Sequence, residues 1–162
     1  MDRIAAAAGA NKAQIYACYS SKDGLFDAVF VEHLKLVVDL VPFDADDLPG
    51  YAVRLYDAYL DRPEIGRLAV WARLERMPTG DLLTAAAAEV AAKTAAVRAA
   101  QEAGIVDPDL DPHDVYAMVI GLSLTWSPAS PTVTAAAGDE RRDHDRRRAA
   151  LAVAVRRAFR PR

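Results

Sequence analysis

Between residues 11 and 22 lie the side chains whose chemistry is most readily placed: Asn11, Lys12, Gln14, Tyr16 and Lys22, with the small Ala13 among them. Amides, a phenol and ammonium groups on one short segment can hydrogen-bond both to base edges and to phosphate oxygens, the two kinds of contact a nucleic-acid reader needs. No enzymatic constellation competes with them. His33, His113 and His144 fall on separate elements without carboxylate pairing or i,i+4 spacing, so neither a zinc site nor a histidine base is indicated. Glycine-rich phosphate loops and nucleophile elbows are absent from the sequence. The expectation is therefore no catalytic residue, no metal and no cofactor.

The elements around these residues read as two short helices meeting at a tight turn. Ile4, Ala5 and Ala8 fall on one helical face that must be buried against a partner. Gly9 ends that helix, since glycine takes the left-handed conformation of a C-terminal cap without steric cost. Asn11 is suited to cap the next helix, Ala13 to Tyr19, by accepting one of its free amides. Ile15 and Tyr19, four apart, form its inner face, and Lys12, Gln14 and Tyr16 lie nearer the outside, a face suited to a major groove. Ser20 or Ser21 caps a third helix. Lys22 sits in the first turn of that helix, where the dipole disfavours a cation unless an anion is near, and a phosphate would supply one.

The stretch IAAAAGANKAQIYACYSSKDGLFDAV, residues 4–29, resembles the helix-turn-helix signature of the TetR (tetracycline-repressor) family of bacterial regulators. The positions that carry the resemblance are Ile4, Ala5, Ala8, Gly9, Tyr16, Tyr19, Ser21, Lys22 and Leu25. It implies that Lys12, Ala13 and Gln14 face bases, that Tyr16 and Lys22 meet phosphates, and that Asn11 caps the recognition helix. In that family another helix precedes the motif and covers its apolar side, whereas here Met1 stands three residues before Ile4. The head is accordingly expected to be incomplete at its N-terminus and loosely held. An alternative follows from this: a helical small-molecule-binding or interaction protein that does not bind DNA.

Composition agrees with an all-α chain. Of 162 residues, 52% are hydrophobic and 27% charged, as in ordinary globular proteins, and alanine supplies much of the apolar share while aromatics make up only 7%. Such a mixture favours closely packed helices over sheet. The net charge of -3 is lower than that of most DNA-binding domains, yet residues 1 to 22 carry Arg3, Lys12 and Lys22 against Asp2 alone. Cys18 is the single cysteine, which excludes an intrachain disulfide, and it is expected near the core of the head. No apolar stretch reaches the roughly 18 residues of a membrane helix, and no signal peptide is evident, so the expected location is cytoplasmic with no membrane partner.

The remaining elements follow from periodicity. A long helix from Ser21 to about Leu40 carries Leu25, Phe26, Val29, Phe30, His33, Leu34, Val37 and Val38 on its stripe, and Pro42 stops it. Residues 42–47 read as a linker. Asp47 caps the next helix, with Pro49 just inside it and Tyr51, Leu55, Tyr59 and Leu60 buried. Pro63 opens another, with Ile65, Leu68, Ala69, Trp71, Ala72 and Leu74 inside, Arg67, Arg73 and Arg76 outside, and Met77 to Gly80 as its end. Asp81 to Ala103 forms an alanine-rich helix closed by Gly104. Asp111 and Pro112 start a helix to about Trp126 that is apolar nearly all round, and a loop from Ser127 to Gly138 leads to a last helix, Asp139 to Phe159, with a seam of Leu151, Val155, Ala158 and Phe159. Arg141, Arg142 and Arg146 to Arg148 are interleaved with acids and read as a solvated or interface-rim face.

Two domains are thus expected: residues 1–40, a helix-turn-helix head with a connecting helix, and residues 41–162, a helical effector-binding and dimerisation body. The apolar excess of the last two helices points to two-fold self-association, the arrangement the resemblance also implies. The family keeps a pocket for a small effector between the connecting helix and the body. Tyr56, Tyr59, Leu68, Trp71, Leu74, Met118 and Leu122 are the candidate lining here, with Trp126 as an addition. The function expected is that of a ligand-responsive transcriptional regulator, a repressor gripping a palindromic operator in double-stranded DNA as a homodimer.

Overall fold

The computed structural model describes residues 1–75, 79–80 and 86–161, and for 33–40 the backbone but not the side chains. The expectations placed on the side chains of His33, Leu34, Val37 and Val38, on Arg76, Met77 and Pro78, and on a helix start at Asp81 fall outside the described residues.

Eight helices form the described chain: α1 (Asp2–Ala7), α2 (Lys12–Tyr19), α3 (Lys22–Leu40), α4 (Leu48–Asp61), α5 (Pro63–Glu75), α6 (Ala87–Glu102), α7 (Pro112–Ser123) and α8 (Arg141–Phe159). No strand occurs among the described residues. Local chemistry sets most of the boundaries. The Ser21 hydroxyl accepts from the Gly24 amide at 2.9 Å, and the Asp47 and Asp111 carboxylates accept from the amides of Gly50 at 2.9 Å and His113 at 2.7 Å. Each oxygen satisfies an amide that has no partner inside its own helix. Gly9 takes φ +61° between α1 and α2, a conformation that a side chain would strain.

Helix α4 is the axis of the body and packs against α8, α7 and α5. Its Tyr51, Ala52, Leu55, Tyr56 and Tyr59 join Leu151, Val155 and Phe159 of α8, Val115 and Val119 of α7 and Val97 and Ala100 of α6 in one buried cluster. Phe43, from the 42–47 segment, closes one end with its ring edge-on to Tyr51, centroids 4.9 Å apart. The head meets the body through α3 and α5. Phe26 lies against the indole of Trp71 with centroids 3.9 Å apart and stacks on Phe30 at 6.0 Å.

Several side chains sit elsewhere than their spacing implies. In the head Ala5 and Ile15 are buried, but Ile4, Ala8 and Tyr19 are exposed, because two short helices cover only one residue from each. Cys18 is also exposed, on the outer side of α2 rather than in the core. Helix α7 stops at Ser123 instead of near Trp126. There the Ser123 and Thr125 hydroxyls donate back to the carbonyls of Ile120 at 2.7 Å and Leu122 at 2.6 Å, and hydroxyls bonded to the preceding turn compete with continued helix. Ala158 is exposed on α8, one step off the seam that Leu151, Val155 and Phe159 form. Arg147, read as part of a solvated face, is only 7% exposed. Its Nη1 donates to Asp139 at 2.6 Å, and α8 starts at Arg141, so the counter-charge lies ahead of the helix rather than in it.

Candidate nucleic-acid interface and body cavity

The head carries its polar residues on α2. Asn11, extended at φ -90° and ψ 159°, uses its side-chain oxygen to accept from the Gln14 amide at 2.8 Å, and its own amide donates to Gln14 Oε1 at 2.8 Å. This reciprocal pair is a capping box, and it ties down two of the four free amides that open the helix. It also fixes the Gln14 carboxamide with Oε1 occupied and Nε2 available to donate. Recognition through Nε2 needs a base-edge acceptor. The paired donor and acceptor geometry that glutamine uses on adenine would draw on the second lone pair of Oε1.

Lys12, Ala13, Gln14 and Tyr16 are all exposed on this helix, with Ile15 alone turned inward. Lys12 Nζ lies 3.3 Å from Asp2 Oδ1, and this ammonium holds the Asp2 carboxyl below its ordinary value, first by hydrogen bonding and then by charge. Both groups stand in solvent, so the pair is weak and easily exchanged for another anion. Lys22 has no ion-pair partner among the described residues. Ser20 closes α2 at φ +60°, the one left-handed non-glycine residue among those described. Gly24 matters to this geometry because a Cβ there would collide with the Tyr19 carbonyl oxygen, so only glycine lets α3 leave the turn so close to the end of α2.

The expected pocket residues separate into groups. Tyr56 and Tyr59 line a cavity of about 340 Å³ together with Leu60, Pro63, Arg67, Ser123, Trp126, Ser127, Pro128, Thr134 and Ala135 to Ala137. It lies where the α4–α5 turn meets the end of α7 and the loop before α8. Trp126 stands edge-on to Tyr56 with centroids 5.9 Å apart. Leu68, Trp71 and Leu74 are on α5 but not in this wall. Trp71 is committed to Phe26, and Leu74 is 72% exposed. Leu122 packs on the core, and Met118 is 42% exposed on the outer side of α7. Sequence reasoning missed Arg67, Ser123, Ser127 and the 134–137 segment, since loop residues carry no periodicity that would place them beside a helix.

Behind the cavity lies a polar cluster. The Tyr56 hydroxyl and His144 Nδ1 are 2.8 Å apart and buried, so this lining residue's hydroxyl already has a partner inside the body. Asp139 accepts from Arg147 at 2.6 Å and from the Ala136 amide at 3.2 Å, and these bonds hold its carboxyl below the usual carboxylate range. Arg147 Nε is buried without a partner among the described residues, and it stays ionised because Asp139 faces the guanidinium. Burial pushes the Tyr59 phenol up to about 12, partly offset by its hydrogen bond with Ser123, so it is neutral at physiological pH. No cluster of three or more His, Cys, Asp or Glu able to hold a metal occurs among the described residues, and no described helix is long and apolar enough to cross a membrane.

Comparison with known proteins places both halves of the chain. Residues 1–29 match the family described as bacterial regulatory proteins, tetR family, and residues 47–157 match the tetracyclin repressor-like C-terminal domain. The HTH-type transcriptional repressor SCO4008 of Streptomyces coelicolor is 35% identical over 133 residues, spanning 81% of this chain and 68% of the relative. The crystal structure of SCO4942 from Streptomyces coelicolor, a protein assigned as a transcriptional regulator, superposes with a TM-score of 0.76 and 34% identity, covering 98% of this chain and 85% of that one. A capped helix-turn-helix head joined through α3 to a helical body, matched in both halves, identifies the chain as a member of the TetR family of bacterial regulatory proteins.

Proposed function

We propose that this TetR-family transcriptional regulator is a ligand-responsive repressor that grips a palindromic operator as a homodimer, with residues 1–40 as the DNA-binding head and 41–162 as the effector and dimerisation body. The observation that carries the reading is the capped, outward-facing polar surface of α2, whose only buried member is Ile15. In this reading Lys12, Ala13 and Gln14 face bases, Tyr16 and Lys22 meet phosphates, and Asn11 holds the helix end in place. The relative SCO4008 is named a repressor, which supports the sign of the regulation. Its location is the cytoplasm, where the operator DNA is found.

Dimerisation through α7 and α8 is supported by what these helices leave uncovered. Ala117, Met118 and Gly121 of α7 and Ala149, Ala150, Val153 and Ala154 of α8 are exposed, an apolar surface that one chain does not hide. Two heads paired in this way must enter grooves one helical turn apart, about 34–36 Å. Coupling runs along α5. Pro63 and Arg67 near its start border the cavity, and Trp71 further on rests on Phe26 of α3. A ligand that fits the cavity in one position of α5 better than in another shifts α3, and with it head spacing, by its difference in affinity for the two states.

A mobility-shift assay with the DNA flanking its own gene tests the reading. It is done on this chain and on any form with residues that its reading frame encodes ahead of Met1. A shift that weakens as salt rises is expected; no shift from any form at low salt overturns the DNA-binding reading and favours a helical ligand-binding protein.

A further inference from the structure

We propose that the cavity at the α4–α5 turn takes a flat, largely apolar molecule that carries one carboxylate, with the acid group held by Arg67. The proposal rests on the effector reading given above and names the chemistry of that effector. The wall is built from the rings of Tyr56, Tyr59 and Trp126, from Leu60, Pro63 and Pro128, and from Ala135 to Ala137, surfaces that suit a flat ring system. Its volume, about 340 Å³, lies near the lower end of ligand pockets, which run roughly 300–1,000 Å³, so the guest is a small ring system rather than a long chain.

The charge of the wall decides the class. Among the described residues Arg67 is its single ionised side chain, and no Asp or Glu of these lines it. Of the other arginines near this end of the body, Arg147 is paired with Asp139 at 2.6 Å and Arg148 with Asp57 at 2.9 Å and Asp145 at 3.0 Å, and Arg62 is exposed at the α4–α5 turn outside the wall. Arg67 has no ion-pair or hydrogen-bond partner among the described residues. A guest cation would meet Arg67 with no counter-charge, and a neutral guest would leave the guanidinium unused. A carboxylate matches its fork of donors. A phosphate monoester would bring a second charge that no other group among the described lining residues meets. Ser127 completes the polar set. Its oxygen accepts from the Ala129 amide at 3.1 Å, which leaves the hydroxyl proton free to donate, whereas the Ser123 hydroxyl proton is spent on the Ile120 carbonyl.

The test is calorimetric titration of the whole chain with 2-naphthoate and with its uncharged counterpart 2-naphthamide, for the parent chain, Arg67→Gln and Arg67→Lys. Arg67 is exposed on α5, so neither variant disturbs the fold. Naphthoate is expected to bind the parent about fivefold more tightly than Arg67→Gln, the scale of a solvent-accessible ion pair, with Arg67→Lys in between and naphthamide indifferent to all three. In a Trp71→Phe background naphthoate is expected to quench the remaining Trp126 emission. Naphthoate affinity unchanged by Arg67→Gln, naphthamide binding more tightly than naphthoate, or no naphthoate binding up to millimolar concentration each overturns the proposal. A DNA titration run alongside separates the two readings. Arg67-dependent binding of naphthoate without any change in DNA affinity leaves the carboxylate site standing and removes its effector role. DNA release by naphthoate that is independent of Arg67 does the reverse.

Discussion

Replacing Gln14 separates holding α2 together from reading DNA, because the capping box uses only half of its carboxamide. Gln14 Oε1 accepts from the Asn11 amide at 2.8 Å, and Nε2 is the half left for a base edge. Gln14→Glu keeps an acceptor for that amide and adds negative charge in the first turn, where the helix dipole stabilises it by about 0.3–1 kcal/mol. Thermal unfolding of the head should therefore be unchanged or slightly later. The donor is lost and a carboxylate now faces the groove, so DNA affinity should fall by at least the roughly 1–3 kcal/mol of a base contact, about 5- to 150-fold. Gln14→Ala removes the acceptor as well and should weaken the head by about 1 kcal/mol, as cap substitutions do. Fluorescence anisotropy with operator DNA and circular-dichroism melts on the same samples measure the two effects. Gln14→Glu binding DNA with parental affinity while its melt is unchanged would refute the placement of Gln14 against the groove.

Tyr16→Ala should reduce affinity for specific and scrambled DNA alike, whereas Gln14 variants should change the preference between sequences; equal effects of the two in a competition assay would sink the division into phosphate and base contacts. Gly24→Ala should destabilise the head, since its Cβ meets the Tyr19 carbonyl, and should lower helical content and DNA binding together; a well-folded head that binds normally would contradict the close approach of α3 to α2. Asp139 has a folded pKa below its ordinary 3.8, so its stabilisation is present above that value and lost as pH falls through the depressed folded one. In urea unfolding from pH 7 down to acid, Asp139→Asn should be less stable at neutral pH and should close on the parent as pH falls. A constant gap between the two curves would show that the Arg147 pairing contributes nothing to the titration.

The helix order was legible because punctuation and periodicity agree along the chain. Asn11, Ser21, Asp47 and Asp111 cap the helices for which their side chains suit them, and Pro63 and Pro112 open two of them. The α4 face of Tyr51, Leu55 and Tyr59 was readable for the same reason. What spacing does not carry is which of two apolar faces finds a neighbour. Met118 and Val115 lie three apart on α7, yet one is exposed and the other fully buried. Long-range polar pairing was hidden as well. Nothing near His144 in sequence announces Tyr56, and the acids interleaved with Arg147 give no sign that Asp139 accompanies it into the body. The cavity was half legible, since its aromatic wall lies on α4 while its charge and its loop side come from Arg67 and residues 126–137.

DNase footprinting over the region flanking the gene tests the central claim most directly. The account predicts two protected half-sites whose centres lie one helical turn apart, about 34–36 Å along the duplex, with protection lost in Gln14→Glu. Absence of protection at low salt, or a footprint that Gln14→Glu leaves intact, would contradict the reading of α2 as the helix that enters the groove.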